Sequence, residues 1–217
     1  MTPEALNSYW WIPLAAYFVG SVPFGYLIAQ RAGRGDIRSA GSGNIGATNV
    51  ARVAGIGAGA LTLLLDAGKG TLAVWAAARL TGDSVTWMVV AALGVMLGHI
   101  FPIWLGGRGG RGVSTGAGAF LLISWQAVLA AMVVWIVVVG VSRYVSLASI
   151  MAAASLPFLT YYLYAPGHTP FLAPSRIVSI GTALGSVMII LKHRPNVARL
   201  MAGTENRVTF RKSGSAH

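Results

Sequence analysis

The sequence predicts an all-α membrane protein, a polytopic bundle of about seven transmembrane helices, some of them short. Its N-terminus is expected outside and its C-terminus in the cytoplasm. Three observations lead there. Of 217 residues, 55% are hydrophobic and only 10% charged, against about 25% charged in soluble domains, and the mean hydropathy is +0.68. The apolar residues come in runs close to the ~20 that a bilayer crossing demands. The Lys and Arg residues, which set a net charge of +11, fall in the short segments between those runs. There they report orientation and contact with anionic headgroups, which argues against nucleic acid as a partner. The absence of cysteine excludes disulfides and thiolate chemistry. Glu4, not a basic cluster, precedes the first apolar run, so that run is expected to be a span and not a cleavable leader.

Trp10 to Gln30 is the first expected span, with Pro13, Gly20, Pro23 and Gly25 placed to bend it or admit close neighbours. A polar loop follows. Val53 to Ala78 is apolar again, interrupted by Asp66 and Lys69, and Val85 to Leu105 carries His99 and Pro102 near its end. GGRGGRG, Gly106 to Gly112, is a second glycine–arginine loop. Val113 to Val141 is too long for one comfortable crossing, and Ser124-Trp125-Gln126 suggests a turn between two shorter helices. Val145 to Tyr164 and Ile177 to Leu191 complete the set. Seven crossings put Arg31, Arg34, Arg38, Arg52, Arg108, Arg111, Arg143, Lys192, Arg194, Arg199, Arg207, Arg211 and Lys212 inside. That is thirteen of the sixteen basic residues, as the positive-inside rule favours. No repeat or linker divides the chain. Residues 1–217 read as a single domain, with 192–217 a basic cytoplasmic tail.

Chemistry should gather on that cytoplasmic face. GSGNIGATN, Gly41 to Asn49, holds three glycines, two asparagines, a serine and a threonine, a run expected to bury no apolar surface. It can turn backbone N–H groups and the side chains of Ser42, Asn44, Thr48 and Asn49 toward one point, with Arg34, Arg38 and Arg52 around it. Such nests with arginines suit phosphate, whose oxygens guanidinium matches in a two-pronged fit. The plain alternative is a flexible connection. GGRGGRG lacks the GxxxxGK[ST] spacing of a nucleotide loop, so Arg108 and Arg111 read either as phosphate ligands or as topology anchors. Asp66 and Lys69 share a helix face, and each costs roughly 2.5–3.5 kcal/mol at mid-membrane. A structural ion pair and a substrate contact both fit them. His193, in KHRPN beside Asn196 and Arg199, is a stronger substrate candidate than His99. Ser146 and Ser149 either bond back to helix carbonyls or face the loops. No GxSxG elbow and no HExxH zinc pattern occurs, and no histidine is followed by aspartate five residues on. Neither metal nor cofactor is called for.

The segments GSGNIGATNVAR, LDAGKG (Leu65–Gly70), GHIFPIWLGGRGGRGVSTGAG (Gly98–Gly118), RYVSLAS (Arg143–Ser149) and KHRPNVARLMAGTE (Lys192–Glu205) together resemble one family. It is that of the bacterial acyl-phosphate-dependent glycerol-3-phosphate acyltransferases, integral membrane enzymes of phospholipid synthesis. The resemblance runs nearly the whole chain. It implies a seven-helix enzyme of the bacterial inner membrane with a cytoplasmic active site. Such an enzyme transfers a fatty acyl group from acyl phosphate to sn-glycerol 3-phosphate, giving lysophosphatidic acid and phosphate. Acyl phosphate, glycerol 3-phosphate and membrane lipids are the partners it implies, for a monomer. By position, Ser42, Thr48 and Arg52 would belong to the phosphate pocket, with Gly43, Asn44 and Asn49 shaping the loop. Ser149, His193 and Asn196 would line the same site, while Arg199 and Glu205 hold the last motif together. Ser42, Gly43, Asn44, Thr48, Asn49, Arg52, Lys69, Arg108, Arg111, Arg199 and Glu205 form the expected binding set; His193, Asn196, Arg111 and Ser149 form the expected catalytic set. One departure stands out, because the family's second motif usually reads GGKG and here Arg111 occupies the lysine position. Positive charge survives, but a point charge becomes a planar fork that does not lose its proton.

A carrier of phosphate esters is the rival from a different class. It would place polar groups near the bilayer midplane, often within inverted repeats. Here only Asp66 and Lys69 lie deep and no repeat is evident.

Overall fold

A computed structural model describes residues 8–164 and 176–208. Residues 1–7, 165–175 and 209–217, and with them the expectations for Glu4, Arg211 and Lys212, lie outside the described residues. Among the described residues everything regular is helical. α1 (Ile12–Ser21) and α2 (Phe24–Arg31) lead by way of a short 3₁₀ turn (Ile37–Ser39) to α3 (Ala47–Ala54), α4 (Ile56–Thr81) and α5 (Val85–Ile100). After a second 3₁₀ turn (Ile103–Leu105) come α6 (Val113–Leu121), α7 (Trp125–Ser142), α8 (Val145–Tyr164), α9 (Arg176–Lys192) and α10 (Arg194–Met201).

Among the described residues, five segments are long and apolar enough to cross a bilayer: Ile12–Arg31, Ile56–Thr81, Val85–Leu105, Trp125–Ser142 and Val145–Leu163. α9 joins them only when counted with α10, to which it is bent by 53°. Dozens of large apolar side chains, Leu64, Phe158 and Tyr161 among them, are exposed, as a lipid-facing surface requires. The chain is a multi-pass membrane protein.

Three sequence expectations need adjustment. The first span breaks at Val22–Pro23, because Pro23 has no N–H to continue the ladder. The second does not begin at Val53. The helix from Ala47 stops at Gly55, whose φ of 98° is closed to other residues, and a new helix begins at Ile56. The split of 113–141 occurs as expected, at Leu122–Ser124, but α6 has only nine residues. At 1.5 Å per residue that is about 14 Å, half of a hydrocarbon core.

Small residues allow the helices to touch. A Cβ on Gly20, Gly94 or Gly98 would lie within 2.0–2.7 Å of a backbone oxygen across the α1–α5 contact. Gly70 and Gly118 do the same for α4 and α6, where Thr71 Oγ1 also donates to the Gly118 carbonyl at 2.9 Å. Ser186 Oγ ties α9 to α8 through the Ala153 carbonyl at 2.6 Å. A core of Val74, Val95, Met96 and Phe120 fills the space between. A second, smaller core of Ala29, Ile37, Ile45 and Val50 lies under the first polar loop. That corrects the expectation for GSGNIGATN: Ile45, inside it, is 2% exposed and anchors the loop as a fixed structure.

Candidate active site

Asn49 is the hub of the first loop. Its Oδ1 accepts the Ser42 N–H at 2.8 Å, and its Nδ2 donates to the carbonyls of Ala40 and Asn44 at 3.0 and 2.9 Å. One turn on, Arg52 reaches the same Oδ1 at 3.4 Å. Buried at 1% exposure, Asn49 shapes the loop and turns Ser42, Asn44, Thr48 and Arg52 into a common cavity.

The second loop is strapped to the end of α5. Gly109 N–H donates to the Ile100 carbonyl at 3.2 Å and Gly110 N–H to the His99 carbonyl at 3.0 Å. These bonds hold Arg111 over the cavity, with Gly112 and Ser114 beside it. From the far end of the chain, α9 and α10 meet at His193. There Asn196 Nδ2 donates to Glu205 at 2.6 Å, and Arg199 Nε to its other oxygen at 2.7 Å. Ser146 and Ser149 of α8 close the ring.

The resulting cavity has a volume of about 440 Å³, within the usual range for small-molecule sites, and has two characters. One end carries the polar groups just named. The other is walled by Met96, Phe120, Met132, Trp135, Leu156 and Ile189. An amphiphile with an anionic head and an apolar tail is the ligand such a shape accepts.

Charge at the polar end is strongly positive. Burial draws Arg111 down to about 10, and the neighbouring Arg199 and Arg52 charges act the same way, opposed by Glu205. It stays charged at neutral pH, in a cluster short of counter-ions. Burial works to raise Glu205, but its bonds with Asn196 and Arg199 leave it below the ordinary carboxylate range. His193, at the break that ends α9, is pushed down to about 4 by burial, with Arg111 adding to the effect. Its Nδ1 lies 2.8 Å from the Ile189 carbonyl. A carbonyl only accepts, so Nδ1 carries the proton and the ring is neutral with Nε2 free to accept.

The structure divides the expected residues. Ser42, Asn44, Thr48, Arg52, Arg111, Ser149, His193, Asn196 and Glu205 line the cavity together. Asn49 and Arg199 stand behind it as supports. Ser149 Oγ donates to the Val145 carbonyl at 2.8 Å and accepts Trp135 Nε1 at 3.2 Å, so its proton is engaged and no base activates it. Lys69 is not at the cavity. Its ammonium, 4% exposed as a residue, bonds Asp66 and the Val22 carbonyl, both at 2.8 Å, and so stabilises the break between α1 and α2. Of that pair it is Asp66 that reaches the cavity wall, with His99 Nδ1 3.5 Å from its carboxylate. Gly43 and Arg108 face away, into a neighbouring surface basin. Asn206 and Trp135 line the cavity without having been singled out. Asn206 was legible as the next polar residue after Glu205, whereas one tryptophan among seven carries no such signal.

Comparison with known proteins points to one family. The family model described as glycerol-3-phosphate acyltransferase matches residues 10–203. Proteins named glycerol-3-phosphate acyltransferase from Gluconobacter oxydans and Mesorhizobium japonicum are 47% and 43% identical, over 91% and 88% of this chain and 91% and 92% of theirs. Two crystal structures of PlsY (YgiH), an integral membrane glycerol 3-phosphate acyltransferase, also superpose. The glycerol 3-phosphate form gives a TM-score of 0.80 at 35% identity and the lysophosphatidic acid form 0.79 at 34%, each covering 95% of this chain and 96% of the other.

Proposed function

The chain belongs to the glycerol-3-phosphate acyltransferase family, and from that premise we propose that it moves a fatty acyl group from an acyl phosphate onto sn-glycerol 3-phosphate. The products are lysophosphatidic acid and inorganic phosphate. One observation carries the choice of donor: a single cavity joins the Arg52–Arg111 cluster to an apolar wall. That suits a donor whose own leaving group is phosphate and whose tail is a hydrocarbon.

An acyl phosphate is a mixed anhydride, so its leaving group is already good. Positioning and charge neutralisation then become the main levers. The C1 hydroxyl of glycerol 3-phosphate attacks the acyl carbon, the bond from that carbon to the phosphate oxygen breaks, and a substrate phosphate oxygen takes the hydroxyl proton. Arg52 and Arg111 hold the phosphates, Ser42, Asn44, Thr48 and Asn196 align them, and Glu205 keeps Asn196 in place. His193 Nε2 accepts a substrate hydroxyl and orients it. A group pushed down to about 4 is a weak base at neutral pH, which favours the substrate phosphate over His193 as proton acceptor.

The same reading places the site on the cytoplasmic face of the inner membrane, with seven traversals and the N-terminus outside. What supports it is that Ser42, Arg111 and His193, from three separate inter-helix segments, meet Ser146 of the first turn of α8 in one cavity. On this reading the chain between consecutive members of that set leaves that end of the bundle and returns to it, with α6, half a crossing long, and α7 forming one such excursion.

The deciding experiment supplies purified protein with labelled glycerol 3-phosphate and, in parallel, palmitoyl phosphate or palmitoyl-CoA. Lysophosphatidic acid from the acyl phosphate alone is expected. Product from the CoA ester overturns the donor assignment. Binding without product from either donor turns the reading toward a carrier.

A further inference from the structure

On the other side of the two glycine loops lies a second concavity of about 520 Å³, lined by Asp36, Arg38, Ser39, Gly43, Gly107, Arg108, Gly109 and Lys192. Both glycine loops and the end of α9, which build the active cavity together with α8, contribute neighbours to this basin. Ser42 and Asn44 face the cavity while Gly43 faces the basin; Arg111 faces one and Arg108 the other; His193 faces one and Lys192 the other. The loops are therefore a shared wall with cations on both surfaces.

Three cations and one carboxylate leave the basin with an excess of two positive charges. Arg38 is engaged: its Nε and terminal nitrogen bond Asp36 at 2.7–3.1 Å, and its other nitrogen reaches the Leu105 carbonyl at 3.4 Å. It also stacks 5.3 Å from the centre of the Tyr26 ring. That pair forms a fixed rim. The Arg108 side chain has no hydrogen-bond or ion-pair partner among the described residues. Lys192 rests its ammonium 4.8 Å from the Phe101 ring and lies in the field of Arg111. The floor is open because Gly107 has φ +75° and no atom within 4 Å of where a Cβ would stand. Two unneutralised cations converging on a floor without side chains form a site for a compact multivalent anion.

We propose that this basin is a second phosphate-binding site, in which Arg108 and Lys192 hold a phosphate group on the far side of the loops that carry the catalytic one. The choice of phosphate over other anions rests on the reading of the cavity given above. The group comes either from free inorganic phosphate, as it leaves the reaction, or from a phospholipid headgroup at the membrane surface.

The test titrates inorganic phosphate into the whole protein in phosphatidylcholine nanodiscs, with glycerol 3-phosphate saturating the cavity, and compares Arg108→Gln/Lys192→Gln. The wild type is expected to retain a phosphate site under saturation, and the double variant to weaken it about tenfold or more, as loss of two charge-assisted contacts implies. Arg108→Lys/Lys192→Arg, with both charges kept, should restore it, which separates lost charge from lost folding. Repeating the titration in phosphatidylglycerol nanodiscs distinguishes the sources. Unchanged phosphate affinity assigns the site to the free ion, and competitive weakening that the double variant lacks assigns it to the headgroup. No phosphate site under saturation, or one indifferent to the double substitution, overturns the proposal. Failure of palmitoyl phosphate as donor with the second site intact would sink the catalytic reading and leave the basin standing.

Discussion

Gly110→Ala tests how Arg111 is positioned. Gly110 is buried, and a Cβ there would stand 2.1 Å from His99 Nε2, whereas ordinary contact begins at 3.4 Å. Either the imidazole or the loop must therefore move by about 1.3 Å. The ring has little freedom, being 4% exposed with its other nitrogen 3.5 Å from the Asp66 carboxylate. The loop is the softer partner, and the residue after Gly110 is Arg111. Overpacking of this kind costs about 1–3 kcal/mol, or several degrees in Tm for a chain of this size. Misplacing a charge-stabilising group by about 1 Å reduces rate up to about a hundredfold. Steady-state assay of acyl transfer should show kcat/KM down by about tenfold to a hundredfold. Gly57→Ala, on a helix with nothing within 4 Å of the new atom, should match wild type in both rate and Tm. A Gly110→Ala enzyme with wild-type kcat/KM would refute the claim that this glycine sets the height of Arg111.

Three further outcomes follow from the same geometry. His193→Gln should keep most of its turnover number, since an amide can still orient a hydroxyl; a collapse in kcat with KM unchanged would restore His193 as the base. Because folding lowers the His193 pKa from 6.5 to about 4, the neutral ring stabilises the fold above pH 6.5. That contribution, at most about 3 kcal/mol, is lost as pH falls toward 4, so Tm in the variant should decline less steeply over that window. Glu205→Gln keeps the shape but weakens the bonds to Asn196 and Arg199, costing about 1–2 kcal/mol and lowering kcat/KM, measurable by thermal shift and assay; no change in either would show Glu205 to be idle. Gly118→Val would push a side chain into the Ala67 carbonyl, 2.0 Å from the Cβ position. Backbone cannot yield as a side chain does, so the loss should reach or exceed about 3 kcal/mol, seen as a large fall in Tm or in yield of folded protein.

Much of the site was legible because polarity is scarce in this chain. Ser42, Thr48, Arg52, Arg111, His193 and Asn196 stand out against an apolar background, and charge placement brings them to one face before any contact is known. What composition hides is direction. Arg108 and Arg111 are equivalent by sequence, yet a loop flanked by the left-handed glycines Gly106, Gly107 and Gly112 puts them on opposite sides of one wall. Lys69 likewise read as a ligand or as half of a structural pair, and only the tertiary position of Val22, 47 residues away, decides. The apolar half of the cavity was illegible for the opposite reason: Met96 and Phe120 look like any other core side chain. Helix ends followed local chemistry, as at Pro23 and Gly55, and boundaries placed by hydropathy alone, such as Val53, did not.

The Lys69–Val22 contact makes the break in the first span a joint property of two helices that are distant in sequence. A helix interrupted within an apolar layer leaves carbonyls that water cannot reach, and here an ammonium borrowed from α4 serves one of them. Neither partner is free to drift alone in inheritance. A descendant without the lysine should also have mended the break, and one with an unbroken first span should have no use for the lysine or for the aspartate that partners it. Three positions in two helices, Pro23, Asp66 and Lys69, are thus expected to be kept or discarded as one character, so a relative's first-span geometry should be readable from its second long helix.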